Sequence, residues 1–471
     1  MPVLTRGDTA LTILNLRRPA RSLIARPAGL LIAVLSLLAT GVCLAADSPV
    51  SSRLVLSNGL TLVGRETPGS PTVAIDVFLR LSVLHERPDT VGVRQLVQMW
   101  LKDRPAEADR PSLAAAIGDI GARYDAATEL DFIKVSLGAA ATDFPTALAL
   151  LKRAVFSDKF DPNTFEPNRR FSERLIEARG ELPLSAADDV LRDALYEGTS
   201  RARSPQGDAR VVAKLTPQQA RDFHRTHFLP GVTVVSVAGG VPWSEVTAQV
   251  SQVFGSVLPG PAPEAEAPTL PAVRERRIRR AGGGDNASVV FGGRSPGLGD
   301  PGYPAAALAV SILGSGLGSR LYHALREAEP LAYSVEAQIM PSTVAGTAAA
   351  YATCDTAAAD KVADAIRAEI TKLAQTPPEP AELERRKQFL SGTYLVNRQR
   401  NGDIAHYLGL LETLVPGQSE TLDASLLQRI MSTSAEAVSQ ATQQLFGHPV
   451  VVIIGPDGTP KPARPGGGGS I

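Results

Sequence analysis

Cysteine and histidine are scarce in this chain of 471 residues, which has two cysteines, Cys43 and Cys354, and six histidines. So few cysteines exclude a disulfide-stabilised scaffold. Because they form no cluster with histidine, few sets of residues remain that could hold a transition metal. An excess of positive charge is also missing, since 48 Lys and Arg balance 48 Asp and Glu. A general nucleic-acid binder needs such an excess for its phosphate contacts, so the composition argues against a nucleic-acid partner.

The remaining composition is that of an ordinary globular protein. Hydrophobic residues make up 44% of the chain and charged residues 20%, which is enough to bury a sizeable core. At roughly 150 residues per domain, the length alone predicts about three domains. The pattern along the chain modifies that number.

The first 46 residues differ from the rest. An arginine-rich stretch, residues 17–26, precedes an apolar run, residues 28–38, and small residues follow up to Ala46. This order is typical of a secretory signal peptide, and the apolar run is shorter than the ~20 residues of a membrane span. We therefore expect residues 1–46 to be a signal peptide, with an exported or periplasmic mature protein that has no stable membrane span. Two alternatives stay open, namely an uncleaved N-terminal anchor and a lipoprotein acylated at Cys43.

A stretch rich in proline and glycine, residues 258–286, interrupts the remaining chain. Neither residue type packs well in a core, so the stretch is predicted to be a linker. It separates an N-terminal domain, residues 47–257, from a C-terminal domain, residues 287–460. The last residues, 461–471, include four consecutive glycines and are predicted to be a flexible tail.

The two halves resemble each other. Residues 216–228 form a helix-like stretch that is followed by a valine-rich strand ending in glycine, residues 232–239. Residues 432–446 and 450–455 repeat this pattern at a nearly constant offset. A shared offset at separate places favours an internal duplication.

Strands and helices alternate irregularly within the first half. Residues 54–56 and 60–63 flank an Asn-Gly turn and predict a hairpin. Residues 72–81 alternate, with Val73, Ile75, Val77 and Leu79 on one face, which predicts a strand, and residues 92–100 look helical. Without a strict βαβ rhythm, the pattern predicts an α+β fold with two similar domains, each a mostly antiparallel sheet packed with helices. Further predicted elements are a strand at 132–137 and a helix at 144–156.

One block of the second half is especially distinctive. A glycine-rich turn, residues 314–318, is followed by Ser-Arg-Leu at 319–321, Arg-Glu at 326–327 and Leu-Ala-Tyr at 331–333. This run resembles the second domain of the pitrilysin/insulinase family of zinc peptidases, the inverzincins, and residues 56–60 resemble that family's first hairpin. The resemblance covers most of the chain and is closest to the two-domain members similar to mitochondrial processing peptidase. It implies that the chain folds as one half of a clamshell.

The resemblance also locates a metal site that is missing here. Active members carry H-x-x-E-H on the helix after the third strand, where the histidines bind zinc and the glutamate is the general base. The corresponding residues are Gln95, Gln98 and Met99, and Glu177 lies near the place of the third ligand. Glutamine cannot take a proton from water, and a thioether is a weak ligand for zinc. We therefore expect a non-catalytic pseudo-peptidase with no zinc and no other cofactor.

A rebuilt metal site is an alternative. His224 and His227 are three residues apart and could share a helix face. No cysteine or acidic pattern accompanies them, so we interpret them as an ordinary histidine pair near the end of a helix.

The resemblance implies roles for residues of the second half. In the family, an arginine and a tyrosine of the second domain face the zinc site and bind the peptide, and Arg326 and Tyr333 match them. A guanidinium and a phenol can both donate hydrogen bonds to a peptide carbonyl. Gly314, Gly316 and Gly318 would allow a peptide to approach the backbone closely, so we interpret them as substrate-binding. The alternative is structural, with Arg326 paired to a neighbouring glutamate, Tyr333 packed in the sheet and the glycines forming a tight turn.

The leading functional hypothesis is an exported, zinc-free subunit of a processing-type metallopeptidase. It would form a heterodimer with an H-x-x-E-H subunit, bind unfolded peptide, and supply Arg326 and Tyr333 to the partner's active site. The runner-up is a scaffold or peptide-binding pseudoenzyme with no role in proteolysis. A third hypothesis, an active hydrolase with an unusual metal site, predicts stoichiometric zinc in the purified protein.

Overall fold

The computed structural model describes residues 51–456, which contain two β-sheets with helices packed on both faces of each. The predicted signal peptide, residues 1–46, and the predicted tail, residues 461–471, lie outside the described residues. Among residues 51–456, no helix is both long and apolar enough to cross a membrane.

The first sheet has six strands in the order β1-β2-β6-β3-β5-β4. Its neighbours pair antiparallel, except that β2 and β6 are parallel. The chain enters it through the predicted hairpin, in which Asn58 fixes the turn by donating to the carbonyls of Phe254 and Val257. The strands are β1 (Ser52–Val55), β2 (Thr61–Glu66), β3 (Thr72–Leu79), β4 (Arg123–Thr128), β5 (Ile133–Ala140) and β6 (Thr233–Gly239).

Eight helices belong to this half of the described chain. They are α1 (Val93–Trp100), α2 (Leu113–Asp119), α3 (Phe144–Phe156), α4 (Pro162–Glu181), α5 (Pro183–Leu195), α6 (Ala209–Val212), α7 (Pro217–His227) and α8 (Trp243–Phe254). The apolar faces of α1, α3, α7 and α8 pack with one face of the sheet in a continuous core that includes Trp100, Phe144 and Phe254.

The second sheet repeats the first without an equivalent of β1. Its order is β7-β11-β8-β10-β9, and only β7 and β11 are parallel. The strands are β7 (Arg276–Ala281), β8 (Ala287–Ser295), β9 (Ala332–Met340), β10 (Gly346–Cys354) and β11 (Val450–Gly455). The same strand order and directions in both sheets agree with a duplicated unit, and the predicted fold class is confirmed.

The helices of the second half complete this repeat. They are α9 (Tyr303–Gly314), α10 (Arg320–Tyr322), α11 (Ala359–Gln375), α12 (Pro380–Val396), α13 (Asn401–Leu414), α14 (Ser419–Met431) and α15 (Ala435–Phe446). A single π-helical turn, His323–Ala328, continues from α10. The core of this half lies between the sheet and α9, α11 and α15.

The two halves exchange one helix each. Helix α13 of the second half covers the free face of the first sheet, where Ile404, Ala405 and Leu408 pack against Phe78. Helix α5 of the first half covers the free face of the second sheet in the same way. Strand β3 is therefore buried on both faces, because a helix more than 300 residues away in the chain covers the face opposite Val73, Ile75, Val77 and Leu79.

The structure shortens the predicted linker. Residues 276–281, within the expected 258–286 linker, form the edge strand β7. Their alternation explains this, because Arg277 and Arg279 lie on one face and both pair with Asp360, while Ile278 packs inward.

Candidate functional site

Helix α1 stands where the zinc helix of the family would be, and a buried ion pair fixes its start. The Glu86 carboxylate accepts hydrogen bonds of 3.0 Å from the backbone N–H groups of Gly92 and Arg94. The Arg94 guanidinium is fully buried and donates to the carbonyls of Leu81, at 2.6 Å, and Glu129, at 3.0 Å. Arg94 Nε lies 3.6 Å from Glu86 Oε2, so the two side chains form a buried ion pair at the start of α1.

The side chains on this helix do not fit zinc. Gln95 and Met99 are half-buried and Gln98 is buried, so two amides and a thioether occupy the three positions. Glu177, near the expected third ligand, is exposed on α4. Within residues 51–456, no group of three or more His, Cys, Asp or Glu has the geometry to hold a metal ion. Catalytic zinc needs three such ligands, and this donor set cannot supply them.

The histidine pair of α7 has other partners. The His224 ring is buried, its Nε2 lies 2.7 Å from the carbonyl oxygen of Val155, and burial lowers its pKa to about 3. The His227 ring stacks on Phe223, with its Nδ1 3.0 Å from that residue's carbonyl oxygen. The two rings therefore belong to separate environments.

The predicted Arg/Tyr pair meets at the start of β9. The Nη1 group of Arg326, at the end of the π-helical turn, donates to the carbonyl oxygens of Ala332, at 2.8 Å, and Tyr333, at 2.7 Å. The neighbouring carboxylates have other partners, since Glu327 contacts His323 and Glu329 pairs with Lys361. The guanidinium thus ties the turn to the strand.

Tyr333 is the extra residue of a β-bulge. Thr353 of β10 pairs with Ser334, but the next residue, Cys354, pairs with Ala332, so Tyr333 has no partner in the ladder. Bulges of this kind bend a strand and redirect a side chain, and they are frequent beside functional sites. The Tyr333 side chain is 55% exposed. Its hydroxyl donates to the Oδ1 atom of Asp355 at 2.7 Å, and this bond raises the pKa of the phenol.

Asp355 was not predicted from the sequence to belong to the site. It follows β10 and is separated from Tyr333 by 22 residues. Nothing in the local pattern marks an aspartate after a strand as the partner of a tyrosine in the neighbouring strand. The antiparallel pairing of β9 with β10 is the signal that would have found it.

The glycine-rich turn contains two kinds of position. Gly314, the last residue of α9, is buried, and a Cβ there would lie 2.4 Å from the backbone nitrogen of Ala337. Gly316 has a left-handed φ of 72°, and both it and Gly318 are exposed beside Leu317, which is 72% exposed. Close packing of α9 on β9 requires Gly314. Gly316 and Gly318 are exposed, but a Cβ at either would lie 3.3 Å from a side chain of α12, Phe389 or Arg386.

A cavity of about 920 Å³ lies elsewhere, between α7, residues 84–90 and the linker at 261–266. His85 and His227 meet in its wall with ring centroids 6.3 Å apart. Of the residues predicted for the metal or peptide sites, His227 of the alternative histidine pair lines it and the others do not.

The fold and the site together define a two-domain peptidase-like protein in which the helix that should bind zinc carries no zinc ligands. Residues 214–390 match the sequence profile described as Peptidase M16 inactive domain. Over this segment the chain is similar to the non-catalytic domain of the pitrilysin/insulinase, or M16, peptidases.

Relatives extend the match beyond that segment. An uncharacterized zinc protease of Streptomyces coelicolor is 24% identical over 416 residues, which cover 86% of this chain and 89% of the relative. The mitochondrial-processing peptidase subunit beta of Dictyostelium discoideum is 22% identical over 215 residues, 45% of each chain.

Solved structures have the same fold. A protease from Helicobacter pylori superposes with a TM-score of 0.80 at 17% identity, covering 87% of this chain and all of that one. A peptidase M16 inactive domain from Pseudomonas fluorescens gives a TM-score of 0.79 at 20% identity, covering 88% of this chain and 99% of that one.

Proposed function

We propose that this chain is the exported, zinc-free subunit of a processing-type metallopeptidase. It pairs with an H-x-x-E-H subunit, binds an unfolded peptide and presents Arg326 and Tyr333 to the partner's active site. The observation that carries this proposal is the Arg326–Tyr333 arrangement on an exposed bulge, in a chain whose helix α1 carries no zinc ligand at the three expected positions.

Strand β9 offers a physical means of binding the peptide. It is an edge of the second sheet, and Ser334, Glu336 and Gln338 along it are exposed. An exposed edge can pair with an extended peptide through backbone hydrogen bonds and needs no particular peptide sequence. A subunit that handles many unfolded substrates requires that property.

The test is co-expression with an H-x-x-E-H subunit of the same family and measurement of the cleavage of a fluorescence-quenched unfolded peptide. We expect Arg326→Ala and Tyr333→Phe each to lower kcat/KM by about tenfold or more, because each removes a polar contact to the bound peptide. Arg385→Ala and Tyr322→Phe are matched controls in the same half, and neither should change the rate.

Equal rates for Arg326→Ala, Tyr333→Phe and the controls would remove the claim of catalytic assistance.

One observation favours a second candidate, a scaffold with no role in proteolysis. The Nη1 group of Arg326 donates hydrogen bonds to two carbonyls of its own chain, which is a structural role. The scaffold predicts a stable homodimer and a peptide cleavage rate by the zinc subunit that does not depend on this chain.

A further inference from the structure

The second sheet leaves open a place that a strand fills in the first sheet. In the first sheet, β2 pairs in parallel with β6 on one side and antiparallel with β1 on the other. Strand β7 takes the position of β2 in the second sheet, because it pairs in parallel with β11. No strand within residues 51–456 pairs with its other side. The outer edge that β1 covers in one half is therefore uncovered in the other.

The pairing with β11 decides which backbone groups of β7 face this outer edge. The N–H groups of Arg276 and Gly282 donate to carbonyls at the two ends of β11, at 3.3 and 2.8 Å. Since alternate residues of a strand bond to the same neighbour, Arg277 and Arg279 direct their N–H and C=O groups outward. In the described part of the chain, no backbone group pairs with them there. Such an edge can accept an added strand.

The side chains of this edge are strongly basic. The strand reads Arg-Arg-Ile-Arg-Arg over residues 276–280, and Arg274 precedes it. Two carboxylates, Glu197 and Asp360, pair with three of these five arginines. Arg274 and Arg280 are exposed, and neither has an ion-pair partner among residues 51–456. An excess of positive charge thus accompanies the open backbone groups.

This charge decides which occupant fits the edge. A second copy that offered the same strand would place arginines opposite arginines, and like charges directly opposite each other destabilise a sheet. Residues 1–50 and 457–471 of this chain are no better suited, because both segments contain more Lys and Arg than Asp and Glu. A nucleic acid could contact the arginines but would leave the outward N–H and C=O groups unpaired. An acidic peptide in extended conformation satisfies both.

We propose that the outer edge of β7 is a docking site for an acidic, extended segment of a partner protein, which adds antiparallel to β7 as β1 adds to β2. The order of side chains in β7 defines a complementary segment, Glu-Glu-Val-Glu-Glu, with the valine opposite Ile278 and each glutamate opposite an arginine. The inference goes beyond the proposed function and does not depend on it, since β7 and β9 are opposite edges of the sheet.

The first experiment measures binding of a fluorescein-labelled peptide, Thr-Thr-Glu-Glu-Val-Glu-Glu-Thr-Thr, to the full chain by anisotropy in low salt. The two glutamates beside the valine lie opposite Arg277 and Arg279, so their N–H groups face β7, whereas the valine N–H faces away. We expect N-methylation of these two glutamates to weaken binding about tenfold or more, and N-methylation of the valine to change it less than twofold. Equal penalties would overturn strand addition.

The second experiment separates backbone pairing from charge on the side of the protein. Arg279→Pro removes an outward N–H and a charge, while Arg279→Ala removes only the charge, so the two are a matched pair. We expect the proline variant to bind the peptide about tenfold more weakly than the alanine variant. Arg280→Glu, which reverses an exposed charge without an ion pair, should weaken binding about fivefold. Thermal unfolding shows whether the variants keep the fold, and the N-methyl peptides decide the question if Arg279→Pro does not.

The remaining outcomes each contradict the proposal. Binding that responds to Arg280→Glu but to neither N-methyl pattern would identify a general anion-binding patch. A dimer of this chain that Arg279→Pro abolishes would make a second copy the occupant. No binding with about 0.1 mM of the chain would exclude a docking site of useful affinity. None of these results affects the cleavage assay with Arg326→Ala and Tyr333→Phe, so the proposed function and this inference fail separately.

Discussion

Asp76 shows how a single residue can oppose the stability of the fold around it. It lies on β3 and faces α13, and one of its carboxylate oxygens has no hydrogen-bond partner among the described residues. Burial raises its pKa to about 6, with Lys134 acting in the opposite direction. A buried carboxylate without adequate partners costs free energy whenever it is ionised.

We predict that Asp76→Asn stabilises the protein at neutral pH. The folded pKa of about 6 lies above the ordinary aspartate pKa of 3.8, so above pH 6 the native state contains a charge that burial disfavours. The gain in free energy of unfolding is about 1–3 kcal/mol. It should shrink as the pH falls from 6 to 4, because the wild-type carboxyl then takes up a proton in the native state. Urea unfolding at pH 7.5 and 5 measures this.

The control is Asp89→Asn. Asp89 is exposed, and its hydrogen bond to Arg87 lowers its pKa. That variant should therefore show no pH-dependent gain between pH 7.5 and 5. A gain for Asp76→Asn that stayed constant across this range would point to packing rather than to the charge.

At the scale of elements, helix α13 shows how the second half of the chain packs on the first sheet. It docks on the first sheet through Gly409, where an added Cβ would lie 2.2 Å from the Phe78 ring. The contact is held by a hydrogen bond of 2.7 Å from Ser236 of β6 to the carbonyl of Ala405. Only glycine at position 409 allows the helix to approach this closely.

The predictions from sequence were good for elements and poor for contacts of this kind. Strand β3 and helix α1 were located because their apolar spacing is a local signal. The burial of the second face of β3 was not predictable, since it depends on a helix from the other half. Within the site, Arg326 and Tyr333 are close in the chain, whereas Asp355 reaches Tyr333 only through strand pairing.

We predict that Gly409→Ala destabilises the protein by about 2–3 kcal/mol, because the new methyl group overpacks the contact with Phe78. Gly402→Ala on the same helix is the matched control. A Cβ there meets nothing within 4 Å, so higher helix propensity should leave that variant neutral or up to about 1 kcal/mol more stable. Thermal unfolding of both variants checks this, and equal melting temperatures would contradict the close approach.

At the scale of the whole molecule, a buried ion pair of the first half contacts a turn of the second half. Arg201 is fully buried and its Nη1 donates to Asp131, in the turn between β4 and β5, at 2.6 Å. The same Asp131 accepts from Thr343, in the turn between β9 and β10, at 2.7 Å, and Arg201 also contacts Ser342. The equivalent turns of the two sheets therefore meet at one charge pair.

We predict that Arg201→Met costs about 3–5 kcal/mol in free energy of unfolding, because Asp131 would remain buried without its counter-ion. Combining it with Asp131→Leu should recover part of that loss, since the unpaired charge is then removed. Arg87→Met, which breaks an ion pair whose side chains are 74% and 68% exposed, should cost less than about 0.5 kcal/mol. Urea unfolding of Arg201→Met, Asp131→Leu, the double variant and Arg87→Met measures the coupling. An Arg201→Met loss no larger than that of Arg87→Met would mean that the exchanged helices α5 and α13 hold the two halves together without this ion pair.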